Sequence, residues 1–196
     1  MHVDIQAELK KMKQKDLSTR ERLLDEGRLY EDYADEMQKV HRENAMRLNE
    51  IIEAFGWPGE SLVGLEGSQD AWLIAQHSIC TPELQIKFSK EIEKAFKAGE
   101  VPKKQMVLLQ DQVLFRQNKP QRCGWVHDWQ EDGQMGCLVQ SVEQANALRE
   151  ELGMPTYQEA LEQNRAAVAK EGGKMPGTYK EYRLRVDAWR ESVGWK

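Results

Sequence analysis

Residues 31–55 read EDYADEMQKVHRENAMRLNEIIEAF, and this stretch decides the fold class. Its apolar residues fall at Met37, Val40, Leu48, Ile51, Ile52 and Phe55. That spacing is close to the 3.6-residue repeat that lays one stripe along an α-helix. Ala45 fills the stripe. Gly56-Trp57-Pro58-Gly59 then ends the helix, since proline cannot continue it and glycine supplies the turn.

The sequence on either side carries the same signature. Towards the N-terminus, Ile5, Leu9 and Met12 predict an earlier helix, with Leu23 and Leu24 in a following turn that Ser18 or Thr19 could cap. Beyond Gly59, residues 61–64 read as a loop, and Ser68 as the N-cap of a helix over 69–79. Thr81-Pro82-Glu83 is a new start: a cap, a proline at the first helical position and an acid in the first turn. Leu84, Phe88, Ile92 and Phe96 follow at steps of four, and Gly99 is the stop. Pro102 opens another helix, with Met106, Leu109, Val113 and Arg116 along one side.

The pattern then changes. Asp132-Gly133 lies between two short aromatic and β-branched runs, 122–129 and 135–139, which is a hairpin signal. Ser141 caps a helix to Leu152, and Pro155 or Thr156 starts one that ends near Gly172-Gly173. After the linker at 172–177, Tyr179, Tyr182, Val186, Trp189 and Val193 form an apolar stripe. So short a helix is marginal alone and must dock. The expected fold is mainly α: a single-domain bundle of about six or seven helices with one small β-hairpin near residues 123–139. Residues 1–171 form the expected core domain. Residues 172–196 form a linker and an amphipathic helix docking on the core or on a partner.

Composition narrows the function. The chain has 196 residues and a net charge of −5, about one domain and an appendage at roughly 150 residues per domain. The acidic balance argues against a dedicated nucleic-acid binder. No apolar run approaches the roughly 18 residues of a membrane span. The start, Met1-His2-Val3-Asp4-Ile5, lacks the basic and apolar regions of a secretory signal, so a cytoplasmic protein with reduced thiols is expected. Cys80, Cys123 and Cys137 form no CxxC pair, and there is no HExxH, Walker or GxSxG motif. No metal and no cofactor is therefore expected.

Polar residues on apolar faces are the candidates for chemistry. His41 and Asn44 share the apolar face of the 31–55 helix. They are either a hydrogen-bonded core pair or line a pocket, with the histidine as acid/base. Gln76 and His77 end a strongly apolar helix, where His77 either complements the helix dipole or faces the same pocket. Asp111 sits between apolar runs. Lys119 and Gln121 belong to the polar loop before the hairpin, and loops on a rigid scaffold are favoured binding places. The assignment is His41, His77 and Asp111 as catalytic, and Asn44, Gln76, Lys119 and Gln121 as ligand-binding. His127-Asp128 is rejected as a metal dyad, because strand alternation makes the two side chains diverge.

Several pieces together resemble a bacterial family known only as a domain of unknown function. They are Val40-His41-x-x-Asn44-Ala45, Gly56-Trp57-Pro58, Ala71-Trp72-Leu73-Ile74-x-Gln76-His77, Asp111 in its apolar helix, Lys119-Pro120-Gln121-x-x-Gly124, and Leu148-Arg149-x-x-Leu152-Gly153-Met154-Pro155. The resemblance spans roughly residues 16–165 and implies that His41, Asn44, Gln76, His77, Asp111 and Gln121 converge. The family carries Thr-Asp-Arg around the acid and Tyr-Gly-Thr-Gln after Pro-Gln. Gln112, Trp125 and Val126 depart from that pattern, so an active site built on those positions would be altered here. Two functions remain open: a small-ligand or catalytic pocket, and a non-catalytic protein-interaction module using the Trp-rich hairpin and the C-terminal helix.

Overall fold

The computed structural model describes residues 2–29 and 33–196. Among them it shows eight helices and one two-stranded antiparallel sheet. The mainly helical class and the late hairpin are as expected. The helix count is higher because seven helices lie within residues 1–171 and the tail adds an eighth. The chain divides into two compact units, Met1–Leu109 and Gln110–Lys196.

The first unit contains α1 (Val3–Asp25), α2 (Asp35–Phe55), α3 (Glu60–His77) and α4 (Pro82–Lys97), and the start of α5 (Lys103–Arg116). α1 is one continuous helix, and Thr19 donates its hydroxyl to the Lys15 carbonyl at 2.7 Å within it rather than capping a new turn. The expected start of the next helix at Glu31 lies outside the described residues. The α2 stripe is buried as its spacing predicts, except that Phe55 is 51% exposed. α3 begins earlier than expected, at Glu60: residues 61–63 are helical, and Gly64 then kinks the helix at φ 72°, a left-handed conformation that favours glycine. Ser68 is therefore not a cap but a buried residue inside α3.

α1 packs against both α2 and α3. Leu9, Leu23, Leu48, Ile51, Ile74, Phe88 and Ile92 are fully buried, each contributing roughly 1.5–3 kcal/mol of transfer free energy. Gln85 of α4 is buried too, and its Nε2 donates to the Ala75 and Gln76 carbonyls at 2.9 Å. It thereby satisfies carbonyls that the end of α3 leaves open, and fixes the helix end that carries His77.

The second unit contains the rest of α5, β1 (Asp128–Trp129), β2 (Met135–Gly136), α6 (Val142–Glu151), α7 (Tyr157–Lys170) and α8 (Tyr179–Val193). Asp128 pairs with Gly136 and Trp129 with Met135. Ser141 caps α6, and capping boxes Thr156/Glu159 and Thr178/Glu181 start α7 and α8. The α8 stripe is half-buried. Within this unit Tyr182 hydrogen-bonds Asp128, and Arg190 Nε donates to the Arg116 carbonyl at 2.9 Å.

Candidate functional site

Three helices of the first unit converge on one buried carboxylate. Asp16 of α1 is 1% exposed. Its Oδ2 receives Nδ1 of His77, from the end of α3, at 2.8 Å. Nε2 of His41, from the middle of α2, stands 3.3 Å from the same oxygen. The two imidazole rings lie 5.2 Å apart, tilted at 45°. Nδ1 of His41 is hydrogen-bonded to the Tyr33 hydroxyl. Burial raises the Asp16 pKa, but the hydrogen bonds and charge of the two histidines outweigh it and hold the carboxyl well below the usual range.

The surroundings are polar but sealed. Asn44, one turn along from His41, donates to the Met12 carbonyl at 3.2 Å and so ties α2 to α1. Gln76 is buried; its carbonyl accepts from Gln85, while its Nε2 has no partner among the described residues. Asp16 Oδ1 is likewise buried without a partner. His77 differs: its side chain is 31% exposed and Nε2 carries no hydrogen bond to the described residues. One donor atom from each of Asp16, His41 and His77 lies within 4.8 Å of the others, a set able to hold a metal ion. The sequence reading lacked this third donor.

A cleft of about 430 Å³ lies in the same unit, lined by Lys13, Asp70, Trp72, Leu73, Lys104 and Gln105 among others. Lys13 is one helical turn before Asp16 on α1, and Leu73 one turn before His77 on α3. Lys13 pairs with Asp70, and the Trp72 indole donates to the Gln105 carbonyl at 2.9 Å. Gln105 Oε1 is buried and unpartnered.

The other predicted residues belong to the second unit. Asp111 is fully buried, and four donors surround it. Arg122 N–H donates to Oδ1 at 2.7 Å; Cys123 N–H, the Cys123 thiol and Trp125 N–H donate to Oδ2 at 3.0, 3.1 and 3.3 Å. Gln121 exchanges a pair of hydrogen bonds with the Val126 backbone, at 2.7 and 2.8 Å. Lys119 is exposed and reaches only Gln117, at 3.1 Å.

His127 precedes the short strand rather than lying within it. Burial first, and then the charges of Arg149 and Arg165, pull its pKa down to about 4. An unfolded histidine titrates near 6.5. Between these values the unfolded chain binds more protons, so stability is lost as pH falls through that window. The expected loss is on the order of 2 kcal/mol between about pH 6.5 and 4. Urea midpoints across that range should show it, and His127→Gln should flatten the slope. An unchanged slope in the variant would disprove the assignment.

The first unit is thus all-helical and carries a buried carboxylate with two imidazoles against it. Residues 3–169 match the model of the family of unknown function DUF6624, and the chain belongs to that family. Comparison with curated proteins and with solved structures yields no match. Among the described residues no helix is long and apolar enough to cross a membrane.

Proposed function

We propose that the first unit binds a small ligand and performs acid–base chemistry on it at the Asp16–His41–His77 centre. One observation carries this reading: a buried carboxylate gathers two imidazoles on a single oxygen, and one of them, His77, keeps its far nitrogen unpartnered and reachable. With its Nδ1–H donated to Asp16, His77 holds its lone pair on Nε2, where it accepts a proton from a water or a ligand hydroxyl. His41, held by Tyr33, supplies the second imidazole. The neighbouring cleft offers an apolar wall at Trp72 and Leu73, cations at Lys13 and Lys104, and the open acceptor of Gln105, the mixture that small-ligand sites use.

The alternative, a contact surface on the hairpin and α8, has less behind it. The α8 stripe is half-buried, and Tyr182 is engaged by Asp128 of its own unit.

The test uses nitrogen-15 spectra of the histidine rings in metal-free protein. Free imidazole prefers the Nε2–H tautomer; His77 is expected in the Nδ1–H form, reverting in Asp16→Asn. A fragment screen read on the same spectra should give binders that shift both the His77 ring and the Trp72 indole. His77 found as Nε2–H, or binders that never reach these two groups, would overturn the reading.

A further inference from the structure

We propose that Asp16 Oδ2, His41 Nε2 and His77 Nδ1 form a binding site for a divalent transition-metal ion, best suited to zinc. This rests on the reading of the same cluster as the working centre, and it names the cofactor that centre takes.

Four observations support it. The donor set is two imidazoles and one carboxylate, the type that catalytic zinc sites use with a fourth position open. Around a tetrahedral ion at roughly 2.0–2.1 Å, donor atoms stand roughly 3.3 Å apart. The Asp16–His41 separation is 3.3 Å already, and the Asp16–His77 pair, at 2.8 Å, needs to open by only a few tenths of an ångström.

The second observation is the convergence on one oxygen. A carboxylate serving two imidazoles as a hydrogen-bond acceptor has two oxygens to offer. Here both rings face Oδ2, while Oδ1 is buried with no partner among the described residues. A shared ion explains that geometry better than shared protons do.

Third, the outer contact is in place. Nδ1 of His41 is hydrogen-bonded to the Tyr33 hydroxyl, and in the tautomer that donates there the Nε2 lone pair faces the centre, as a metal ligand requires. Fourth, the His77 side chain is 31% exposed, so solvent reaches one member of the cluster. An ion held by these three residues would lower the pKa of a water in its fourth position and so would supply a hydroxide near neutral pH.

The experiment is a titration of chelator-treated full-length protein with Zn²⁺ by calorimetry and with Co²⁺ by visible absorption. One equivalent should bind, with a Co²⁺ spectrum typical of a low-coordinate nitrogen site. His77→Ala and Asp16→Asn should each weaken binding at least about 100-fold, and Tyr33→Phe about 10-fold. His77→Ala is the preferred variant because the ring is part-exposed and its loss leaves the helix packing intact. Zn²⁺ should also switch the His77 tautomer from Nδ1–H to Nε2–H, since the metal takes Nδ1. The inference is overturned if no saturable binding occurs, or if binding is unchanged in both variants. Should binding fail while His77 remains Nδ1–H and ligands still shift it, the metal is wrong and the acid–base reading survives. Should the metal bind while no ligand reaches His77, the metal site stands and the acid–base reading falls.

Discussion

Replacing Asp111 by alanine is expected to lower stability by about 4 kcal/mol, among the largest effects of any single polar substitution in this chain. The carboxylate is fully buried and accepts from three backbone N–H groups and one thiol, all in residues 122–125. Alanine leaves those donors without an acceptor. Water can replace it at the exposed Arg122 and Trp125, but not at Cys123, which is fully buried. Each buried donor left unmet costs about 1–3 kcal/mol. Asp111→Asn should be intermediate, about 2–3 kcal/mol, because one oxygen remains while the amide turns donors against donors. Urea unfolding measures both. An Asp111→Ala midpoint equal to that of the wild type would refute the loop-anchoring role. A stable Asp111→Asn variant that lost ligand binding would instead restore a catalytic role for this residue.

How far the sequence could be read depends on which physical rule was in force. α2 was legible because one apolar face dominates its spacing, and Phe55, its last residue, is half-exposed with its ring 5.2 Å from that of His2. The hairpin was legible from Asp132-Gly133. Its strands are nevertheless only two residues long, because the backbone before them is committed elsewhere: to Asp111, to Arg149, and to Gln121, whose own N–H donates to the Leu138 carbonyl. Gly64 was read as a loop because composition cannot separate a loop from a one-residue kink in a helix.

Asp16 was the omission that mattered. It sits in Lys15-Asp16-Leu17, which reads as solvated surface. Yet Ile5, Leu9, Met12, Asp16, Thr19 and Leu23 fall at steps of 4, 3, 4, 3 and 4. An acid at an apolar-stripe position is a buried acid in search of partners. His41 and His77 were found for the same reason, as polar groups on apolar faces. What no spacing rule could provide is that the packing of α1 against both α2 and α3 gathers all three. Asp111 was selected as an acid between apolar runs and Gln121 from the polar loop before the hairpin, and their partners are backbone groups and one thiol of residues 122–126.

That turn has a second support, and its removal is the other large expected effect. Arg149 of α6 is 2% exposed. Its Nε donates to the Pro155 carbonyl at 2.6 Å, and one terminal nitrogen to the carbonyls of Cys123 and Gly124 at 2.7 and 3.2 Å. Asp111 therefore accepts from the N–H groups of Arg122, Cys123 and Trp125, while Arg149 donates to the carbonyls of Cys123 and Gly124. Gly124 between them has φ 68°, and a Cβ there would come within 2.9 Å of the Tyr157 ring and Val139. The turn can be neither widened nor refilled. Arg149→Met should cost about 3–4 kcal/mol, since the aliphatic stem is kept and three carbonyls lose their donor. Arg149→Lys should recover little, because an ammonium cannot span the carbonyls as a planar fork does. Because the two residues hold one turn from opposite sides, their losses should not add. Once Asp111→Ala has loosened the turn, Arg149→Met should cost at least about 1 kcal/mol less than in the wild type. Additivity to within about 0.5 kcal/mol would show instead that each residue stabilises the second unit independently.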